Sequence, residues 1–230
     1  WLAIVLGLGA AAFLGWVNGI LLTKLRLPHP FISTLGMMNV ARGLALLMTA
    51  STPISGFPLE LQFLGSSYLG PVPVSVIFVI LVYIGFHRFL NHTPLGRHIY
   101  AVGGNAEAAR LSGVRVDRVL IWVFTLSGLM AGVGALILVG RVNAAFPLAG
   151  LNYELDAIAA VIIGGASFFG GVGTVWGTLI GALIMAVLRN GLNLLNVSAD
   201  WQTVAIGTVI VAAVWVDVMR TRMGARRKVA

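Results

Sequence analysis

From Trp1 to Thr23 the sequence carries no charged residue, and apolar runs of similar length recur as far as Val218. A run of this kind cannot stay exposed to water, and roughly 20 apolar residues in helical form match the hydrocarbon thickness of a bilayer. An all-α polytopic membrane protein with about seven transmembrane helices is therefore predicted.

Composition agrees. Hydrophobic residues make up 59% of the 230 positions and charged residues 10%, where a soluble domain carries about a quarter charged. Cysteine is absent, which excludes disulfides and thiol chemistry. The formal charge of +8 does not point to nucleic acid, because the basic residues stand at the ends of apolar runs and not on a soluble basic face. The chain opens on Trp1 directly into an apolar run with no basic leader before it, and it reads as a piece of a longer protein.

In order, the expected spans are 1–23, 31–50, 74–89, 119–139, a short run from Leu151, a run from Gly173 to about Arg189, and 201–218. Residues 51–73 read as a loop. Gly15 and Gly19 on the first span, and Gly128 and Gly132 on the fourth, are each four apart and form small faces for helix packing; Gly173, Gly177 and Gly181 do the same on the sixth. The fifth run ends in glycines and suits either a full span or a re-entrant half-helix. The basic residues decide for a span: Lys24, Arg26, the arginines of 88–118 and the tail from Arg220 to Lys228 hold twelve of the fifteen Lys and Arg, and alternating spans place all of them on one side. That side is expected to be cytoplasmic, C-terminus included. Asn18-Gly19 and Asn190-Gly191 each precede a break and a further span, as an inverted repeat would have them.

The longest polar interruption runs from Arg88 to Arg118, with five arginines against Glu107 and Asp117. Within it a short helix is expected: Asn105 as N-cap, Glu107 in the first turn, Ala106, Ala108, Ala109 and Leu111 as helix formers, Gly113 as the stop. Two turns of helix do not stand alone in water. Such a helix lies on lipid headgroups, on the membrane protein, or on a soluble partner.

Three segments carry a resemblance: GGNAEAARLSGVRVDR (103–118), GLNYELDAIAAVIIGGASFFGGVGTVWGTLIGALIMAVLRNGLNLL (150–195) and LPHPFISTLGMMNVARGLALL (27–47). Together they resemble the ribose-type (ribose, xylose, galactose) sugar permeases of bacterial ATP-binding-cassette importers, over essentially the whole chain. Such permeases begin with further spans bearing an acidic, Gly-rich motif, which this chain lacks. The resemblance implies a single permease domain over 1–230, part of an inverted-repeat importer fold, with a cytoplasmic coupling loop at 91–118 and a basic cytoplasmic tail at 220–230. It also implies an inner-membrane location, a second permease subunit of the same or a related kind, cytoplasmic ATPase subunits and a periplasmic or lipid-anchored sugar-binding protein. Glu107-Ala108-Ala109, with Gly113 beyond, is similar to the coupling motif that docks in the ATPase; Gly104, Asn105 and Arg110 belong to the same segment. In that reading small alanines allow close docking and the flanking glycines let the helix pivot.

Other polar residues admit two readings each. Asn39 and Arg42, one turn apart in the second span, suit a sugar path or hydrogen bonding between helices. Asn18, Asn190, Asn193 and Gln202 could meet sugar hydroxyls or join helix ends. Glu154 and Asp156 suit a contact with the binding protein or, as the preferred reading, helix-starting acids. Gly171–Gly177 resembles a nucleotide-binding glycine run but follows no strand, so packing is the better account. The chain contains no GxxxxGK[ST] segment, so a Walker-type site would have to come from a partner. No catalytic residue, metal site or cofactor is expected. The alternatives are a secondary transporter or channel for a small polar solute, and an importer permease for branched-chain amino acids or nucleosides.

Overall fold

The computed structural model describes residues 1–25, 27 and 29–227, with the side chains of 220–227 left aside. Arg26, Lys228 and the side chains of Arg220, Arg222, Arg226 and Arg227, which the orientation count used, lie outside the described residues. In chain order the elements are α1 (Leu2–Lys24), α2 (Pro30–Thr49), β1 (Ile54–Ser55), α3 (Leu59–Ser66), β2 (Tyr68–Leu69), β3 (Val72–Pro73), α4 (Val74–His92), α5 (Pro94–Gly104), α6 (Ala106–Leu111), α7 (Val116–Val142), β4 (Ala144–Ala145), α8 (Tyr153–Ile163), α9 (Val175–Leu194) and α10 (Ala199–Arg227). Six of these helices are long and apolar enough to cross a membrane: α1, α2, α4, α7, α9 and the Ala199–Met219 part of α10. Most of their large apolar side chains point outward, Leu47, Met48 and Val187 among them. That is the arrangement lipid demands and water forbids.

The chain forms two compact units. In the first, Trp1–Val82 with Arg110–Ala149, α1 packs antiparallel on α7 through the two glycine faces. A Cβ at Gly15 would strike the Phe124 carbonyl, one at Gly19 would lie 2.8 Å from the Ile121 Cα, and one at Gly128 would lie 2.5 Å from the Ala11 carbonyl oxygen. Without hydrophobic drive between helices in lipid, such close backbone approach is what holds them together. The stretch expected as a loop at 51–73 contains α3, which lies on the far end of α7 with Gly65 against Gly140. Nearby, β1 pairs antiparallel with β4, Ile54 opposite Ala145, and Asn143 in left-handed conformation accepts hydrogen bonds from the Phe57 N–H (3.0 Å) and the Gln62 amide (3.1 Å).

In the second unit, Tyr83–Ala109 with Gly150 onward, the core is Ala159, Ala160, Met185 and Ile206, where α8, α9 and α10 meet. Here the fifth run departs from the expected span. Its helix, α8, has 11 residues, about 16 Å of rise against roughly 30 Å of hydrocarbon. Gly164 and Gly165, the latter at φ 88°, end it, and a glycine-rich loop carries the chain to Thr174. Apolar composition persists through the loop, so composition alone does not mark where the helix stops. α8 runs antiparallel along α9, with Asp156 beside Arg189, Ala160 beside Gly181 and Gly164 beside Gly177. The Gly173–Gly181 stretch thus serves packing, as read from the sequence. α9 itself continues past Arg189 to Leu194.

Candidate functional site

The polar interruption folds as two helices, not one. Thr93 caps α5, its hydroxyl accepting from the Gly96 N–H at 3.1 Å, and Pro94 occupies the first turn. A Thr-Pro pair is a readable helix start; it is the signal that would have revealed α5. After α5 the chain extends at Asn105 (φ −159°, ψ 102°), and the Asn105 Oδ1 accepts from the Ala108 N–H at 2.9 Å. α6 follows over Ala106–Leu111, and Gly113 turns the chain at φ 86°. The cap, the first-turn Glu107 and the glycine stop are where the sequence placed them.

The directions of the side chains were not legible beforehand. Ala109 is buried at 5% exposure, so it seats α6 on its own protein instead of offering a small docking surface. Glu107, Ala108 and Arg110 face outward. Leu111, 83% exposed, is a large apolar residue at the end of a polar segment, which the sequence marked only as a helix former. Gly103 does not act as a free pivot either: a Cβ there would lie 2.6 Å from the Gly171 nitrogen, and one at Gly171 would lie 2.6 Å from the Gly104 Cα.

These contacts tie α5 to the loop between α8 and α9. The Tyr100 hydroxyl donates to the Gly173 carbonyl at 2.9 Å. The same loop is held to α10, where the Asp217 Oδ2 accepts from the Phe168 N–H (3.0 Å) and the Ser167 hydroxyl (3.2 Å). Residues 164–173 thus join α5, α8, α9 and α10, by close backbone approach to α5 and α9 and through the side chains of Tyr100 and Asp217. Asp217, an acid within the apolar seventh run, was the unread signal. Replacing Gly171 by Val adds a branched side chain at φ 74° against the α5 backbone, which has no flexible end to yield. We expect α5 to be released, with limited trypsin digestion of the purified chain cutting at Arg97 several times faster than in the wild type.

The path candidates are placed as follows. Asn18 on α1 is half-buried, its Oδ1 enclosed and without a partner among the described residues. Asn39 is exposed on α2 and its amide donates to the Leu35 carbonyl at 3.1 Å, while Arg42 is half-buried. Among the described residues no hydrogen bond joins Asn18, Asn39 and Arg42. In the second unit Asn190 is exposed on α9, and the Asn193 Oδ1 accepts from the Gln202 amide at 2.8 Å, which joins the α9 and α10 ends. Asp156 pairs with Arg189 at 2.6 Å, and the guanidinium lies 6.0 Å from the centre of the Tyr153 ring. This is a structural use of the acid, though with a partner 33 residues away.

Residues 1–214 match the model of a family described as the permease component of branched-chain amino acid transport systems. The chain belongs to this permease family. The permease is 46% identical to the ribose import permease of Bacillus subtilis over 94% of its own length and 67% of the relative's. It is 40% identical to the D-allose transport system permease of Escherichia coli, over 94% of its length and 66% of that protein's, and 39% identical to the fructose import permease of Rhizobium meliloti, over 94% and 62%. The permease thus spans about two thirds of the length of these relatives. No solved structure matches it. By family and by its six long apolar helices it is a multi-pass transport permease.

Proposed function

We propose that this permease is the membrane subunit of an ATP-binding-cassette importer that carries a ribose-like monosaccharide across the bacterial inner membrane, with α6 receiving the motion of a separate cytoplasmic ATPase. A second permease subunit completes the path, and a periplasmic or lipid-anchored binding protein delivers the sugar. The loop at 164–173 meets α5 through Tyr100 and α10 through Asp217, so α5 and the C-terminal end of α10 lie on one side although α8 is short, and that side faces the cytoplasm in this reading. The ribose, allose and fructose transport for which the relatives are named supports the substrate class, and a further relative in Escherichia coli, 40% identical over 86% of this chain and 60% of its own length, is described as a probable ABC transporter permease.

The observation that carries the coupling role is the surface of α6. A capped helix seated by Ala109 presents Glu107, Ala108 and Leu111 outward, which leaves a charged and a large apolar side chain on one short helix for a soluble partner to cover. α5 then links that helix to the loop that grips α8, α9 and α10. In the same reading Gly104, Asn105, Arg110 and Gly113 shape the docking segment, and Asn18, Asn39, Arg42 and Asn190 are candidates for the path.

The test is co-purification of the ATPase with tagged permease in mild detergent, together with uptake of labelled ribose and, as the comparison the family description suggests, leucine. Leu111→Glu and Glu107→Arg are expected to lower ATPase recovery at least tenfold and to abolish ribose uptake at unchanged permease levels. Wild-type permease that brings down no ATPase would end the importer reading. Variants that retain full recovery and uptake would leave the importer standing but remove α6 from the coupling role.

A further inference from the structure

Within the first unit the ends of α1 and α7 enclose a groove of about 570 Å³ whose wall carries Lys24, Arg110, Arg115 and Arg118, with Val116 and Ile121 among its apolar residues. One acid, Asp117, stands in it against four cations. Asp117 occupies the first turn of α7, where the helix dipole already favours a negative charge.

From this groove we infer a binding site for the phosphodiester headgroup of an anionic glycerophospholipid. The charge excess selects an anion. The position selects a lipid: both helices are long enough to cross the bilayer, and the antiparallel contacts of Gly15 with Phe124 and of Gly19 with Ile121 set Lys24 level with the start of α7, at the depth where headgroups lie. The apolar wall selects the same ligand, because Ile121 sits on the span itself and can meet the first methylenes of an acyl chain while the arginines take the phosphate. Arginine pairs with phosphate oxygens in a bidentate fork, and two flank the α7 start at Arg115 and Arg118. A free phosphate would use the cations and gain nothing from the valine and isoleucine. The inference needs only that the chain spans a membrane, so it stands or falls independently of the ATPase partner.

The experiment follows the thermal unfolding of the purified chain in detergent as phosphatidylglycerol, phosphatidylcholine or inorganic phosphate is titrated in. Phosphatidylglycerol is expected to raise the midpoint by several degrees at concentrations where phosphatidylcholine and phosphate do not. The triple variant Lys24→Gln/Arg115→Gln/Arg118→Gln should bind it about 100-fold more weakly, at about 1 kcal/mol for each cation removed. Arg141→Gln, at the other end of α7, should keep the full response. If the triple variant does not fold, Arg118→Gln alone should still weaken the response about fivefold, by the same reckoning. Equal stabilisation by phosphatidylcholine, equal stabilisation by inorganic phosphate, or an undiminished response in the folded variants would each overturn the site.

Discussion

Gly181→Leu should leave little folded protein. A side chain at this position is aimed at the backbone of α8: its Cβ would strike the Ala160 carbonyl and lie 2.9 Å from the Gly164 nitrogen. Backbone cannot rotate aside as a flexible side chain can, so α8 must leave α9. Overpacking in a fitted core costs about 1–3 kcal/mol where neighbours adjust, and here the loss also includes the contacts of Ala159, Ala160 and Met185. Gly134→Leu is the matched comparison, since a Cβ there meets nothing within 4 Å. Size-exclusion profiles of the two variants in detergent should differ sharply, the first aggregated or absent and the second close to wild type. A monodisperse Gly181→Leu protein with wild-type melting would show that α8 does not lie against α9 as described.

The second large effect concerns Arg189. Replacing it by Met leaves Asp156 charged and without its partner, in a region where its other oxygen already has no partner among the described residues. Breaking a buried pair from one side costs several kcal/mol, whereas removing both members is often close to neutral. Asp156 and Arg189 keep 23% and 38% side-chain exposure, so the expected loss is lower, about 2–4 kcal/mol. The double variant Asp156→Leu/Arg189→Met should recover most of that stability. Denaturant unfolding in detergent would check the cycle. Additive losses in the double variant would mean that the two side chains do not act on one another.

What could be read beforehand depended on how local the cause was. Asn105, Glu107 and Gly113 act on residues within one turn of themselves, so the capped α6 was legible. The glycine pairs on α1 and α7 could be recognised because a small-residue face has few uses in a membrane helix other than packing. α5 is hard to read because Gly96, Gly103 and Gly104 lower its helix propensity, although Thr93 and Pro94 mark its start. The inward turn of Ala109 and the outward turn of Leu111 follow from which face of α6 meets the rest of the protein, and a six-residue helix has no periodicity long enough to reveal that.

The lipid solvent, the helical class and the approximate spans are legible in the residues alone, because transfer of apolar residues into lipid and the need to satisfy every backbone group are properties of each segment taken singly. Packing set the rest: the fifth run as an 11-residue helix followed by a glycine loop, Asp156 paired with Arg189, and Gly103 and Gly104 against Gly170 and Gly171. Those outcomes rest on backbone and charge contacts between residues dozens of positions apart, where the cost of a close approach or an unpaired ion exists only once the partner is in place.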